Sequence, residues 1–254
     1  MMLTDEQKER YARHLILEGF GETGQERLSQ GSVLVIGAGG LGSPALLYLT
    51  AAGVGRIGIV DSDVVELSNL QRQVLHNSER LGWGKTYSAS AALAPLNPDA
   101  EICTYPIRMD RENISGLVAD YDFIIDATDN FEAKFLINDA CVAAGKGYSH
   151  GGILRYCGQT MTVIPGKSPC YRCIFPEEPG AEDAIACSKA GVIGVLPGII
   201  GTLQATEAIK FLSGIGDLLL GRLLTYDSLK LKFREIGLKR NPACPACGEG
   251  HKSP

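Results

Sequence analysis

No apolar run in this sequence is long enough to cross a bilayer, so a membrane-spanning helix is excluded. The N-terminus, MMLTDEQKER, is charged and polar and lacks the apolar stretch of a secretory signal. Positive charge is not in excess: 24 Lys and Arg against 29 Asp and Glu leave a formal net charge of −5. That balance argues against nucleic acid as the main partner, which would need a basic surface. There is no internal repeat and no low-complexity tract. The expectation is a cytoplasmic globular protein with neither membrane nor nucleic acid among its partners. At 254 residues it can bury a full core, as one large α/β domain or two small ones. Cysteine, in contrast, is plentiful. Eight cysteines in a cytoplasmic chain point to metal or thiol chemistry before disulfides.

Residues 32–73, SVLVIGAGGLGSPALLYLTAAGVGRIGIVDSDVVELSNLQRQ, organise the rest. Residues 32–36 are a short branched apolar run that suits a strand buried on both faces. Gly37, Gly39 and Gly42 supply a G-x-G-x-x-G spacing with Gly40 inside it, and Pro44 falls where the first turn of a helix tolerates proline. An apolar helix is expected over about residues 44–52, closed by Gly53, then a buried strand over residues 56–60 that ends on Asp61. Together these make one βαβ unit for a nucleotide. The glycines let backbone N–H groups approach a phosphate, the helix N-terminus adds a positive dipole, and Asp61 can hold ribose hydroxyls. A tight strand–helix turn with no ligand would carry the same glycines, and the unit alone does not separate NAD from ATP. The next residues do. Asn69 and Arg72 lie three apart, which puts them on one face of a helix, and Lys85 follows a glycine-bearing loop, LGWGK. Arg, Lys and amide groups beside a nucleotide suit a triphosphate more than a nicotinamide, because hydride transfer has little negative charge to neutralise. Trp83, in the same loop, fits either a pocket-tuning role or surface packing.

Residues 4–18 read as one helix with Thr4 as N-cap and Gln7 three positions on. It carries Arg10, Arg13 and His14, and, preceding the sheet, it can lie apart from its own core. Residues 21–30 read as a polar connector with a short helix. A helix over about residues 86–93, a strand over 101–107, a helix or turn over 114–119 and a buried strand over 122–127 continue the alternation. Ligands of open parallel sheets lie beyond the carboxyl ends of the strands, so Asp129 is placed to touch the nucleotide or its magnesium. It is equally placed to cap the helix expected over residues 131–144. From Gly147 the period changes, and strands over residues 148–150 and 159–163 around glycine-rich turns make the later sheet mixed. A polar, breaker-rich crossover loop over residues 176–186 leads to Cys187, followed by a helix from about Gly198 and strands over residues 223–226 and 230–235. The expected fold is α/β: a Rossmann-like mixed sheet with helices on both faces, an N-terminal helical extension and a C-terminal zinc-bound tail.

Two C-x-x-C pairs, Cys170/Cys173 and Cys244/Cys247, have the spacing of a tetrahedral four-cysteine zinc site. Four protein ligands leave no position for water, so the zinc would be structural and would tie the tail to the body. A redox pair fits poorly, because two pairs occur and neither is expected to open a helix after a strand. Cys103, Cys141 and Cys157 read as core residues or isolated thiols. Cys187 precedes Ser188 and Lys189, whose charge could lower its pKa, although an inert half-buried thiol is the alternative.

These motifs resemble the MoeB/ThiF/HesA family, the bacterial relatives of ubiquitin-activating enzymes. The resemblance runs along essentially the whole chain: RYARHL, GAGGLGSPALLYL, VDSDVVELSNLQRQ, Gly84-Lys85, DATDN, both C-x-x-C pairs, CSKAGVIG and GTLQATEAIKFLSG. It implies adenylation of the C-terminal glycine carboxylate of a small ubiquitin-like sulfur carrier ending in Gly-Gly, with ATP and magnesium, by a homodimer. Arg13 is implied as an arginine reaching the partner subunit's nucleotide. The phosphate-side turn falls on Gly39 and the ribose acid on Asp61. Asn69, Arg72 and Lys85 are implied as triphosphate contacts, and Asp129 as the magnesium-linked aspartate. Cys187 matches the cysteine that bonds to the carrier's terminus in the ThiF branch. The resemblance implies a single adenylation domain over residues 1–254: an arm (1–30), a nucleotide-binding half (31–165) and a carrier-binding and zinc half (166–254). The chain stops after the zinc tail without a rhodanese domain, so sulfur is expected from a separate donor such as a cysteine desulfurase or a rhodanese.

The residue inventory suits that chemistry on its own terms. A terminal carboxylate, with a pKa of about 3.5, is ionised near neutrality and needs no general base to attack an α-phosphorus. The obstacle is an anion meeting a polyanion, which Arg13, Arg72, Lys85 and a magnesium at Asp129 would screen. An NAD-dependent oxidoreductase would leave the basic trio and the cysteine pairs unexplained. An inactive scaffold would have no need of the full set of site residues.

Overall fold

The computed structural model describes residues 3–180 and 190–248. Its strands are β1 (Ser32–Ile36), β2 (Arg56–Val60), β3 (Glu101–Tyr105), β4 (Phe123–Asp126), β5 (Gly147–Leu154), β6 (Cys157–Val163), β7 (Arg222–Asp227) and β8 (Lys232–Gly237). They form one sheet in the order β3-β2-β1-β4-β5-β6-β7-β8. The pairs from β3 through β5 are parallel and those from β5 through β8 antiparallel, so the sheet is mixed as expected.

The unbroken apolar run of β1 has a direct cause. Val33 and Val35 face one hydrophobic cluster while Leu34 and Ile36 face another on the opposite side of the sheet. The first cluster is closed by α3 (Gly21–Gln30), α4 (Gly42–Ala52), α5 (Lys85–Leu93) and a long helix, here α9 (Val195–Ser213), through Leu28, Leu46, Leu93 and Ile200. The second is closed by α6 (Ile114–Ala119), α7 (Phe131–Ala144) and the one-turn α8 (Tyr171–Ile174), through Val118, Phe135 and Tyr171. Helices therefore cover both faces.

Local signals place most ends. Gly53 and Gly145 close α4 and α7 in the left-handed conformation, with φ of +85° and +65°. Asn130 caps α7, accepting from the Ala133 N–H at 2.9 Å, so the capping alternative for Asp129 falls to its neighbour. The helix expected from about Gly198 starts at Val195, with Pro197 in the first turn where its missing N–H has no intrahelical partner to lose.

The N-terminal segment differs from the expected single helix. The Thr4–Gln7 capping box forms, with bonds of 3.2 and 3.0 Å, and opens α1 (Asp5–Arg10). The chain then breaks at Tyr11 (φ −100°, ψ 15°) before α2 (Ala12–Leu15). Nor does the segment lie apart. Tyr11 is buried in a slot over Gly53, where a Cβ would come within 2.5 Å of its ring, and its hydroxyl accepts from the Asn97 amide at 2.8 Å. Gln25 extends the anchorage, linking the His14 ring (2.9 Å) to the Ala52 carbonyl (2.8 Å). Residues 21–30 are helical throughout, because Gln25 and Leu28 are buried on one side.

Leu46 is fully buried between α4 and the sheet. Leu46→Ala is expected to cost about 2–5 kcal/mol and lower the Tm by roughly 5–15 °C, read by a calorimetric melt of the metal-loaded protein. A shift of under about 2 °C would contradict this account of the core.

Candidate functional site

The strand order reverses between the parallel neighbours β1 and β4: β2 and β3 extend the sheet to one side, and β5 onward to the other. Open α/β sheets bind ligands at such a switch point, beyond the carboxyl ends of the strands. A cavity of about 380 Å³ lies there, lined by the ends of β1 (Ile36), β2 (Val60) and the Ala127 turn after β4.

Its floor is the glycine turn. Gly37 has φ of +103°, closed to side chains without strain, and a Cβ on Gly42 would sit 1.9 Å from the Gly37 carbonyl oxygen. The second restriction lets α4 start against the end of β1. The Ala38 peptide is held at both ends: its N–H donates to Asp61 Oδ2 at 2.8 Å, and its carbonyl lies 2.9 Å from His76 Nε2. Burial pushes the His76 pKa down, so the neutral ring donates to that carbonyl and accepts the Ser88 hydroxyl on Nδ1 at 2.8 Å. Among the described residues, no hydrogen bond takes up the N–H groups of Gly39 and Gly40, which line the cavity. Free N–H groups beside a helix N-terminus are the donors such a turn can offer an anion.

The charged groups converge from separate loops. Arg72 lines the cavity, with Nη1 donating to the Ser68 carbonyl at 3.2 Å. Lys85 is 6% exposed and is the first residue of α5, where the helix dipole disfavours a cation. It is held there by Asp63, 2.8 Å away, whose side chain is 68% exposed. Asp61 accepts N–H groups of Ala38 and Asp63; burial nevertheless raises its pKa, with Lys85 and those two bonds opposing. Asp129 is exposed at the cavity wall, and Ile107, Met109 and Leu136 supply an apolar side.

The structure thus brings together Gly37, Gly39, Gly40, Asp61, Arg72, Lys85 and Asp129. Gly42 is outside the lining and acts through packing. Asn69 does not line the cavity. Residues Leu67–Asn69 form a 3-10 turn rather than a helix shared with Arg72, and the Asn69 Oδ1 caps it by accepting from the Glu66 N–H at 3.3 Å. Arg13 is exposed on α2 and outside the cavity lining. Trp83 is half exposed and also outside it. Cys187 and Lys189 lie outside the described residues. Sequence reasoning missed Asp63, legible only as the second acid of Asp61-Ser-Asp63, and His76 and Gln73, which carry no local signal. It also missed a buried polar cluster beneath the floor. There Asp126 accepts from His150 Nδ1 (2.9 Å), Lys134 Nζ (3.2 Å) and the Thr128 hydroxyl (2.6 Å). Burial opposes ionisation of Asp126, but Lys134 and His150 outweigh it and hold the carboxyl below the usual range.

On the far side of α7 the four cysteines meet. Sγ of Cys170 lies 4.0 Å from Cys173 and 3.6 Å from Cys244, and Cys173 lies 3.4 Å from Cys247. All four sulfurs fall within 4.8 Å of one another. A tetrahedral ion with metal–sulfur bonds of ~2.3 Å needs sulfurs about 3.8 Å apart, so this donor set fits a thiophilic metal. The Asn241 N–H donates to Cys173 Sγ at 3.4 Å, as expected around a thiolate ligand. Cys170 stands at the N-cap position of the one-turn α8 without a side-chain capping bond, and a loop separates it from the end of β6 at Val163. What sets these cysteines apart from a redox pair is the arrival of the second pair.

Sheet order, glycine turn and cavity define the class: a nucleotide-binding α/β protein of the Rossmann type. Within that class the chain belongs to the ThiF family, which it matches over residues 11–246. It is 47% identical over 254 residues to the sulfur carrier protein adenylyltransferase of Thermus thermophilus, covering 98% of this chain and 94% of that protein. It is 47% identical over 244 residues to the SAMP-activating enzyme E1 of Haloferax volcanii, covering 96% and 90%. The Zea mays adenylyltransferase and sulfurtransferase MOCS3-1 is 46% identical over 241 residues, and the chain spans about half its length, 94% of this chain against 52% of that protein. Among solved structures, E. coli MccB with ATP superposes with a TM-score of 0.84 at 23% identity, over 96% of this chain and 75% of that one, a likeness of fold. Among the described residues, no helix is long and apolar enough to cross a membrane.

Removing one thiolate tests the cysteine cluster. The unaltered protein should carry about one metal ion per chain by elemental analysis, and Cys244→Ser near none. The Tm should fall by roughly 10 °C or more, as a loss of about 4 kcal/mol would give. Full metal content in Cys244→Ser would refute a four-sulfur site.

Proposed function

We propose that the protein adenylates the C-terminal glycine carboxylate of a small ubiquitin-like sulfur carrier with ATP. Pyrophosphate is released, and the carrier is left as an acyl adenylate ready for thiocarboxylation. The observation that carries this reading is the convergence of Gly39, Asp61, Arg72, Lys85 and Asp129 on one switch-point cavity. The near full-length identity to a protein named as a sulfur carrier adenylyltransferase supports it.

The carrier's carboxylate oxygen attacks the α-phosphorus, and the bond to the bridging oxygen breaks, with pyrophosphate as leaving group. No base is needed, because the nucleophile is already ionised. The N–H groups at Gly39 and Gly40 and the dipole of α4 receive phosphate oxygens. Arg72 and Lys85 stabilise the negative charge that collects on the pyrophosphate. Lys85 can leave Asp63 for a phosphate, because the Asp63 side chain is 68% exposed and water can take the place of the ammonium on it. Asp61 is placed for the ribose. Asp129 is the carboxylate that would hold magnesium, which supplies further charge neutralisation when bound. The cysteine set would hold a structural zinc.

The same reading assigns a homodimer in which the exposed Arg13 serves the partner subunit's site. It treats the whole chain as one cytoplasmic adenylation domain, with a nucleotide-binding half and a carrier-binding, zinc-bearing half. It takes sulfur from a separate donor such as a cysteine desulfurase or a rhodanese. Cys187 is kept as the candidate for a carrier adduct after adenylation.

Carrier-dependent ATP–pyrophosphate exchange tests this directly, with each Gly-Gly-ending ubiquitin-like protein of the same genome supplied in turn. Exchange with at least one carrier is expected. Lys85→Ala should lower it about 100- to 1000-fold with the fold retained by circular dichroism, by analogy with losing one oxyanion donor. Near-normal exchange in Lys85→Ala, or none with any carrier from folded, metal-loaded protein, would overturn the proposal.

A further inference from the structure

Asp126, Lys134 and His150 are buried to 1%, 7% and 1% exposure, and none of them lines the cavity. A buried ion pair is an expensive way to fill a core, since apolar residues of like volume often do as well or better. Its position gives the reason. The pairing of β1 with β4 ends at Ile36–Asp126, and that of β4 with β5 at Asp126–His150. Past that point the chains diverge to open the cavity, and their backbone carbonyls have no ladder partner on that side. The Lys134 ammonium takes the Thr128 carbonyl and the Gly151 carbonyl, each at 2.7 Å, and the Asp126 carboxylate at 3.2 and 3.3 Å. These three groups, with the Thr128 hydroxyl a fourth and longer acceptor at 3.5 Å, take up all three N–H donors, so none is left for a ligand.

The Thr128 hydroxyl and N–H both fold back onto Asp126 Oδ1, at 2.6 and 3.1 Å. Gln204 on α9 donates to the Asp126 carbonyl at 2.7 Å and the Ser149 carbonyl at 3.0 Å. Residues 126–128 are thus pinned from α7, β5 and α9 together, and the next residue is Asp129. We propose that Lys134 is a positioning residue: by fixing the Thr128 carbonyl it aims the Asp129 carboxylate into the cavity without touching substrate. Lys134 and Asp126 cancel in charge, and His150, kept neutral by burial, adds none. This inference rests on the assignment of Asp129 to the nucleotide's magnesium.

Lys134→Met alone would strand the Asp126 carboxylate and destabilise the fold. The decisive variant is Asp126→Asn/Lys134→Met, which removes both charges, with Lys134→Arg as the conservative control. Hydrogen–deuterium exchange on the full, metal-loaded protein without nucleotide reads the positioning. Uptake by peptides over residues 127–131 should quicken about tenfold in the double variant, with peptides over residues 37–42 unchanged. In pyrophosphate exchange, the magnesium concentration for half-maximal rate should rise about tenfold with little change in the ATP KM, and Lys134→Arg should recover part of the loss. Unchanged uptake at 127–131, or an equal rise at 37–42, would reduce Lys134 to a structural role. Faster uptake with an unaltered magnesium requirement would break the link to Asp129. If the unaltered protein exchanges with no carrier, the functional reading fails, and deuterium uptake still decides whether Lys134 holds the loop.

Discussion

The contact between the start of α4 and the end of β1 is the constraint on which the rest of the site depends. With the position of a Gly42 Cβ only 1.9 Å from the Gly37 carbonyl, no other residue lets the helix begin so close to the strand. That closeness brings the helix N-terminus, with its unpaired N–H groups and its dipole, onto the axis of the sheet's switch point. The turn would still be a flexible glycine segment without Asp61 and His76, which hold the Ala38 peptide from both ends. One acid at the end of β2 thus does two jobs: it rigidifies the cradle and faces the cavity.

Around that cradle the protein breaks two local rules at once. A lysine opens α5 at the positive end of its dipole. A lysine–aspartate pair also occupies a place where apolar side chains would pack at less expense. Such violations are expected to gather where function outweighs stability. Here they share a direction: cations are presented to the cavity around Lys85 and Arg72, a carboxylate is presented opposite them, and the buried pair beneath is neutral as a unit.

Much of the fold was legible because it depends on periodicity and punctuation. β1 and β2 lie where a branched apolar run and a following acid put them, and α7 runs between an Asn cap and a left-handed glycine. The misjudged places are those where a distant partner overrides local pattern. Residues 21–30 look polar, yet fold as a full helix because Gln25 and Leu28 find the core. The first helix breaks at Tyr11 because a slot over Gly53 takes the ring. Asn69 and Arg72, spaced for one helical face, part company because the chain there makes a 3-10 turn whose cap consumes the asparagine.

The sequence by itself determined what one stretch of chain can specify: the βαβ unit with its glycine turn and terminal acid, the alternation of buried strands with helices, and two thiol pairs of metal-ligand spacing. Each follows from residue type and local spacing, which dictate backbone conformation and which side is buried. Only the tertiary structure decided which groups meet. Cysteines 74 positions apart close one four-sulfur shell, Asp63 reaches Lys85 from 22 positions away, and Asp126, Lys134, His150 and Gln204 converge from four elements. Those meetings are set by strand order and by the divergence of β4 and β5. That divergence leaves backbone carbonyls unpaired until a side chain from another element satisfies them.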